Sequence, residues 1–154
     1  MIIKLIKRKV FENFLHNLTL SKIDTLSGIE FENFIYSFFE YLGYSCSLTA
    51  TTGDNGIDII AKNGHVQIGI QTKLYYNHSV GNKAVQEAYS GKDYYKLTHA
   101  MVVTNWTLSK PALTLAQDLG VIVIDRSELI NILNMPRREI IKLIKNKLII
   151  TGRN

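Results

Sequence analysis

Two β-branched runs, Ile57 to Ala61 and Val66 to Leu74, stand either side of Lys62-Asn63-Gly64-His65. Turn residues of this kind between apolar runs are hairpin punctuation, and the length of the turn fixes the register of the two strands. With Gly64-His65 as the two-residue turn, Asp58 lies across from Gln71. Side chains alternate faces along a strand, so Lys73 shares a face with Gln71. Ile59, Ala61, Ile68 and Ile70 fall on the opposite face. One side of the hairpin is therefore core. The other gathers a carboxylate, an amide and an ammonium, with cross-strand neighbours about 5 Å apart and the next positions roughly 7 Å away.

The period of the remaining chain places this hairpin in a larger pattern. Residues 2–18 read as an amphipathic helix and Thr19 to Gly28 as a connector. Ser27-Gly28-Ile29-Glu30 is a capping box, opening a helix with apolar residues at Phe31, Phe34, Ile35, Phe38, Phe39 and Leu42. Gly43 ends it. Tyr44 to Ala50 is a strand holding Cys46, followed by the turn-rich Thr51-Thr52-Gly53-Asp54-Asn55-Gly56, read as the loop that aims Asp58. After the hairpin, Val80 to Tyr95 suits a helix and His99 to Thr104 a buried strand. Ser109 with Pro111 opens another helix, which Gly120 closes. Val121 to Ile124 is a short strand, Ser127 opens a helix, and Pro136 starts the last one. This order predicts an α/β fold with a mixed central sheet, an antiparallel meander plus parallel additions, flanked by helices on both faces. Extra helices stand at the N- and C-termini.

A carboxylate, an amide and an ammonium on one patch suit phosphodiester hydrolysis. Mg²⁺ takes hard oxygen ligands, often one or two carboxylates, and stabilises charge on phosphoryl oxygens. A fixed cation orients the attacking water or stabilises the transition state. Asp58 supplies one carboxylate, the Gln71 amide oxygen a neutral ligand, and Lys73 the cation. The same residues taken alone also read as an Asp58–Lys73 salt bridge on a solvated face.

Charge and composition narrow the classes. Residues 1–9 carry a net +4 and residues 137–154 a net +5, against −4 between them. Attraction to a polyanion must therefore come mostly from the ends. A single cysteine excludes a disulfide framework and fits a reducing, cytoplasmic setting. The four histidines are scattered without helical i, i+4 spacing, which argues against zinc. No apolar run is long enough to span a bilayer, and no signal peptide is legible, so no membrane partner is expected. At 154 residues the chain is read as one domain, 1–154. It divides into a basic N-terminal helix and connector (1–26), a core (27–133) and a basic C-terminal helix (134–154). The hexamer Ile-Ile-Lys-Leu-Ile-Lys occurs at 2–7 and again at 140–145. Both copies are expected to dock by their Ile/Leu stripe with Lys outward.

Gly43-Tyr44, the string from Thr51 to Ile60, and Ile70-Gln71-Thr72-Lys73-Leu74-Tyr75 together resemble the Mrr-like branch of the PD-(D/E)xK nuclease superfamily. So do Glu30-Phe31-Glu32, Val85-Gln86-Glu87-Ala88, Val103-Thr104-Asn105 and the stretch from Leu115 to Asp125. The resemblance implies a restriction-endonuclease-like core and Mg²⁺-dependent cleavage of DNA, with Mn²⁺ as the alternative ion and no small-molecule cofactor. Asp58 matches the family's metal-binding Asp and Lys73 its catalytic Lys. Gln71 stands where most of the superfamily has Asp or Glu. Glu32 matches a helix glutamate facing the metal, the Thr72 carbonyl completes such shells, and Gln86 is a further polar contact. Restriction proteins of this type usually carry a separate DNA-reading domain, which is not expected in the short segments either side of this core. The basic ends, through Lys4, Lys7, Arg8, Arg137, Arg138 and Lys142, are therefore expected to grip the DNA backbone. A homodimer is expected because cutting both strands needs two sites. Two other functions fit the residues: a nuclease-fold protein that binds DNA without cutting, or serves as a subunit of a larger nuclease, and a Holliday-junction-resolving enzyme.

Overall fold

The structure, a computed structural model, describes residues 1–49 and 55–152. Among the described residues, five strands form one sheet in the order β1-β2-β3-β4-β5: β1 (Ser45–Leu48), β2 (Ile59–Asn63), β3 (Val66–Lys73), β4 (His99–Thr104) and β5 (Ile122–Ile124). The first three make the expected antiparallel meander, and β4 and β5 add in parallel. The hairpin register is the one the turn dictates: Asn63 pairs with Val66 and Ile59 with Ile70. The string Ala50 to Asp54, which holds most of the loop read as aiming Asp58, lies outside the described residues.

Helices cover both faces. On one lie α1 (Ile2–Asn17), α3 (Gly28–Leu42) and α7 (Arg137–Thr151), with α6 (Arg126–Leu133) at the β5 end. On the other lie α4 (Asn82–Tyr94) and α5 (Lys110–Leu119). α3 forms where its signals demand. The Ser27 hydroxyl accepts from the Glu30 N–H, the Glu30 carboxylate accepts from the Ser27 N–H, and Gly43 leaves the helix at φ 106°. Its stripe of Phe31, Phe34, Ile35, Phe38, Phe39 and Leu42 is buried against Ile59, Ala61, Ile68 and Ile70, the apolar face of the hairpin. Each such side chain contributes roughly 1.5–3 kcal/mol of burial free energy.

Three local expectations need correction. The connector before α3 contains a short helix, α2 (Leu20–Ile23), because the Thr19 hydroxyl accepts from the Lys22 N–H and starts a turn. α6 is capped by Asp125 rather than Ser127: the Asp125 carboxylate accepts from the N–H groups of both Ser127 and Glu128. The third concerns the repeated hexamer. Its second copy docks, with Ile140 and Ile144 each 1% exposed, but in the first copy Ile2, Ile3, Leu5 and Ile6 all face outward. α1 is held instead by its C-terminal half, through Leu15 and Phe11.

Among the described residues, no helix is long and apolar enough to cross a membrane.

Candidate active site

The C-terminal end of β3 carries the site. Asp58 stands just before β2, its N–H donating to the Ile70 carbonyl at 2.9 Å. Among the described residues, its Oδ2 accepts from Gln71 Nε2 at 3.0 Å, the Thr72 N–H at 2.7 Å and the Thr72 hydroxyl at 2.8 Å. The side chain is thus fixed by the strand it faces. Gln71 is 5% exposed, and its Oε1 is a buried oxygen with no hydrogen-bond partner among the described residues. An unmet buried acceptor is costly in a folded protein and calls for an explanation. Gln71 Nε2 also lies 3.4 Å from the Thr72 carbonyl. It is thus the Gln71 nitrogen that faces the Asp58 carboxylate and the Thr72 carbonyl; turning the amide about its last bond would bring Oε1 to those oxygens, a donor set that suits Mg²⁺ or Mn²⁺. The unmet Oε1 is the observation that fits a cation. Among the described residues, no group of three or more His, Cys, Asp or Glu side chains gathers to hold a metal.

Lys73 forms its salt bridge with α4. Its Nζ lies 3.0 Å from Glu87 Oε2 on α4. Glu32 is half-buried on the first turns of α3, and Gln86 is exposed on α4. Asp58, Gln71 and Thr72 are thus joined by direct hydrogen bonds, whereas the contact made by Lys73 is with α4.

Two participants were not singled out in the sequence. Glu87 is one; its signal was its position beside Gln86, one helical turn after Lys83. Asn105 is the other. Fully buried after β4, it holds the chain beyond Lys73 by both ends of its amide: Oδ1 accepts from the Tyr75 N–H at 2.8 Å, and Nδ2 donates to the Tyr75 carbonyl at 3.0 Å. Asn105 Nδ2 also donates to Asp24, which Arg126 grips through two nitrogens at 2.8 and 2.9 Å. The Arg126 hydrogen bonds hold the Asp24 carboxyl below its ordinary range, against a smaller opposing effect of burial. Nothing in local periodicity marks this network, which joins residues far apart in the chain.

The basic residues separate into two sets. Lys4, Lys7 and Arg8 line an open groove of about 300 Å³ with Phe11, Tyr36, Ser37, Glu40 and Tyr41. Arg138 is exposed beside Glu139, and Lys142 pairs with Glu139 at 3.1 Å. Arg137 turns inward: its Nε donates to the Tyr41 carbonyl at 2.7 Å and a terminal nitrogen to the Leu42 carbonyl at 3.1 Å. It closes the C-terminus of α3, the end where a cation is favoured. Burial pushes the Cys46 thiol up to about 12, so it is no thiolate nucleophile at neutral pH.

A family model, Mrr_cat, described as restriction endonuclease, matches residues 23–133. No curated protein matches the chain. Among solved structures, the DNA modification-dependent restriction endonuclease AspBHI is similar with a TM-score of 0.60 and 18% identity, over 96% of this chain and 40% of its own. A protein of unknown function, AF1548, is similar with a TM-score of 0.56 and 18% identity, over 76% of this chain and 77% of its own. At these identities the structural likeness speaks to the fold. The chain spans well under half the length of AspBHI.

Proposed function

Since this chain belongs to the Mrr_cat restriction endonuclease family, we propose that it is a metal-dependent DNA endonuclease, acting in the cytoplasm, with Asp58, Gln71 and Lys73 at its centre. The observation that carries this reading is the buried Gln71 amide, whose Oε1 is unmet among the described residues and whose Nε2 meets an Asp58 carboxylate also held by Thr72. Asp58, Gln71 Oε1 and the Thr72 carbonyl would hold Mg²⁺ or Mn²⁺, with Glu32 as a further carboxylate. Bound there, the ion supplies charge stabilisation at the phosphoryl group and a more acidic water. The Thr72 N–H and hydroxyl keep the Asp58 carboxylate oriented. Lys73 presents an ammonium to the attacking water or the developing phosphorane charge. Lys4, Lys7, Arg8, Arg138 and Lys142 meet backbone phosphates, positioning DNA without reading its sequence. A homodimer would bring two such sites to opposite strands, and sedimentation with and without duplex DNA tests that.

A second reading, DNA binding without cleavage, draws support from Gln71 itself. An amide in place of a carboxylate leaves the site with one less negative charge for a divalent ion. Incubation with supercoiled plasmid and Mg²⁺ or Mn²⁺ separates the two. The nuclease reading expects nicked or linear product from the wild type and none from Asp58→Ala or Lys73→Ala, each folded as judged by melting. Salt-sensitive binding with intact plasmid supports the second reading.

A further inference from the structure

One residue of α4 meets both arms of the hairpin. The Glu87 side chain reaches the lysine arm, where Oε2 lies 3.0 Å from Lys73 Nζ. Its other oxygen is 3.7 Å from Lys83 Nζ, one helical turn earlier. The Glu87 main chain meets the aspartate arm. Gly56, two residues before Asp58, lies so close that a Cβ there would run into the Glu87 carbonyl, and its φ of +80° also favours glycine. One turn further along α4, a Cβ on Gly91 would stand 2.5 Å from the Asn55 carbonyl oxygen. α4 is therefore seated backbone to backbone on the segment leading into Asp58, and the same helix grips Lys73 by a side chain.

The Lys73–Glu87 pair is partly solvated, with the two side chains 24% and 31% exposed. Pairs of that kind add little to folding stability. The effect on geometry is larger. Lysine is a point charge on a flexible four-carbon stem, and without a partner its ammonium samples many positions. With Glu87 in place, the ammonium is referred to the same rigid helix that seats the approach to Asp58.

We propose that Glu87 is a positioning residue that sets the Lys73 ammonium relative to the Asp58–Gln71 oxygens. This role rests on the nuclease reading of those three residues. It assigns α4 a part in the reaction beyond supporting the sheet.

The test compares wild type with Glu87→Gln, Glu87→Asp and Glu87→Ala. It measures cleavage of supercoiled plasmid with Mg²⁺ or Mn²⁺ across DNA concentrations, with melting temperature in parallel. A misplacement of about 1 Å lowers an enzymatic rate on the order of 100-fold. Glu87→Ala is expected to lose about 10- to 100-fold in maximal rate while the half-saturating DNA concentration stays within about twofold. Glu87→Gln keeps the length and an accepting oxygen, and should stay within about fivefold of wild type. Glu87→Asp keeps the charge but shortens the reach, so it should be slower than Glu87→Gln. Should Glu87→Ala fail to fold, the order of Gln above Asp decides, because a role of charge alone predicts the reverse. A wild-type rate in Glu87→Ala, equal losses in Gln and Asp, or a loss confined to half-saturation overturns the positioning role while the nuclease reading stands. Intact plasmid with the wild type overturns the nuclease reading, and the positioning role falls with it.

Discussion

The same six residues, Ile-Ile-Lys-Leu-Ile-Lys, lie in α1 and in α7 and meet opposite fates. In α7, Ile140 and Ile144 are 1% exposed and sit in the core with Leu148. In α1, Ile2 and Ile3 are 70% and 72% exposed, and Leu5 and Ile6 exceed half. Both copies are helical, since period and propensity act locally. Docking is not local. α7 has three anchors that α1 lacks: Arg137 on the end of α3, Lys147 on Glu128 at 2.8 Å, and His99 Nε2 against the Leu148 carbonyl at 3.1 Å. α1 touches the domain through Leu15, Phe11 and Phe14, the last two packed near Phe34. A helical stripe buries itself only where the fold offers a complementary surface.

The largest expected effect separates the two copies directly. Ile144→Ala should destabilise by about 2–5 kcal/mol, as truncations in a close-packed core do. Ile6→Ala, its counterpart in α1, should stay within about 0.5 kcal/mol, as exposed substitutions do. Urea unfolding of both variants measures this. Similar losses would mean that the α1 stripe is also buried in solution and would break the comparison.

Arg137→Ala should cost about 1–3 kcal/mol, because it removes hydrogen bonds from a charged donor to two α3 carbonyls. Arg8→Ala, in α1 just after the other copy of the hexamer, should change stability by less than half of that. Thermal melts of the two variants make the comparison.

A pH effect confined to the α7 side should be smaller. Burial pushes the His99 imidazole below its ordinary value. The unfolded chain therefore takes up this proton first. The contribution is whole above about pH 6.5 and is lost as pH falls through the folded-state value. Urea midpoints at pH 7.5 and 5.5 should fall more for wild type than for His99→Gln. An unchanged difference would show that the docking of α7 is insensitive to this ring.

The smallest effect tests the lysines the two copies share. Replacing Lys4 and Lys7 by Gln, or Lys142 and Lys145 by Gln, should lower the salt slope of DNA binding by about 1 per phosphate contact removed. Fluorescence anisotropy across ionic strength reads this. A slope that changes for one pair alone identifies the end that meets DNA.

Much of the fold was legible because its signals are short-range. Ser27 and Glu30 sit three apart, Gly43 and Gly120 end helices, and the turn at Gly64-His65 fixes the partner of every residue in the hairpin. The convergence of Asp58 and Gln71 on one patch followed from that register and from the alternation of side chains. The cap of α6 is not legible in the sequence because Asp125 and Ser127 are both good caps, and only geometry shows which oxygen meets the N–H groups.

The chain by itself determined where helices and strands form, which face of the hairpin is apolar, and that a carboxylate, an amide and a lysine share the other. Tertiary structure decided which of two identical stripes is buried. It also decided that Lys73 pairs with Glu87, that Arg137 closes α3, and that Asn105 clasps Tyr75. The reason is range. Backbone dihedrals, caps and turns are set within a few residues, whereas a charged or apolar side chain takes its partner from whatever the packed layers bring alongside it.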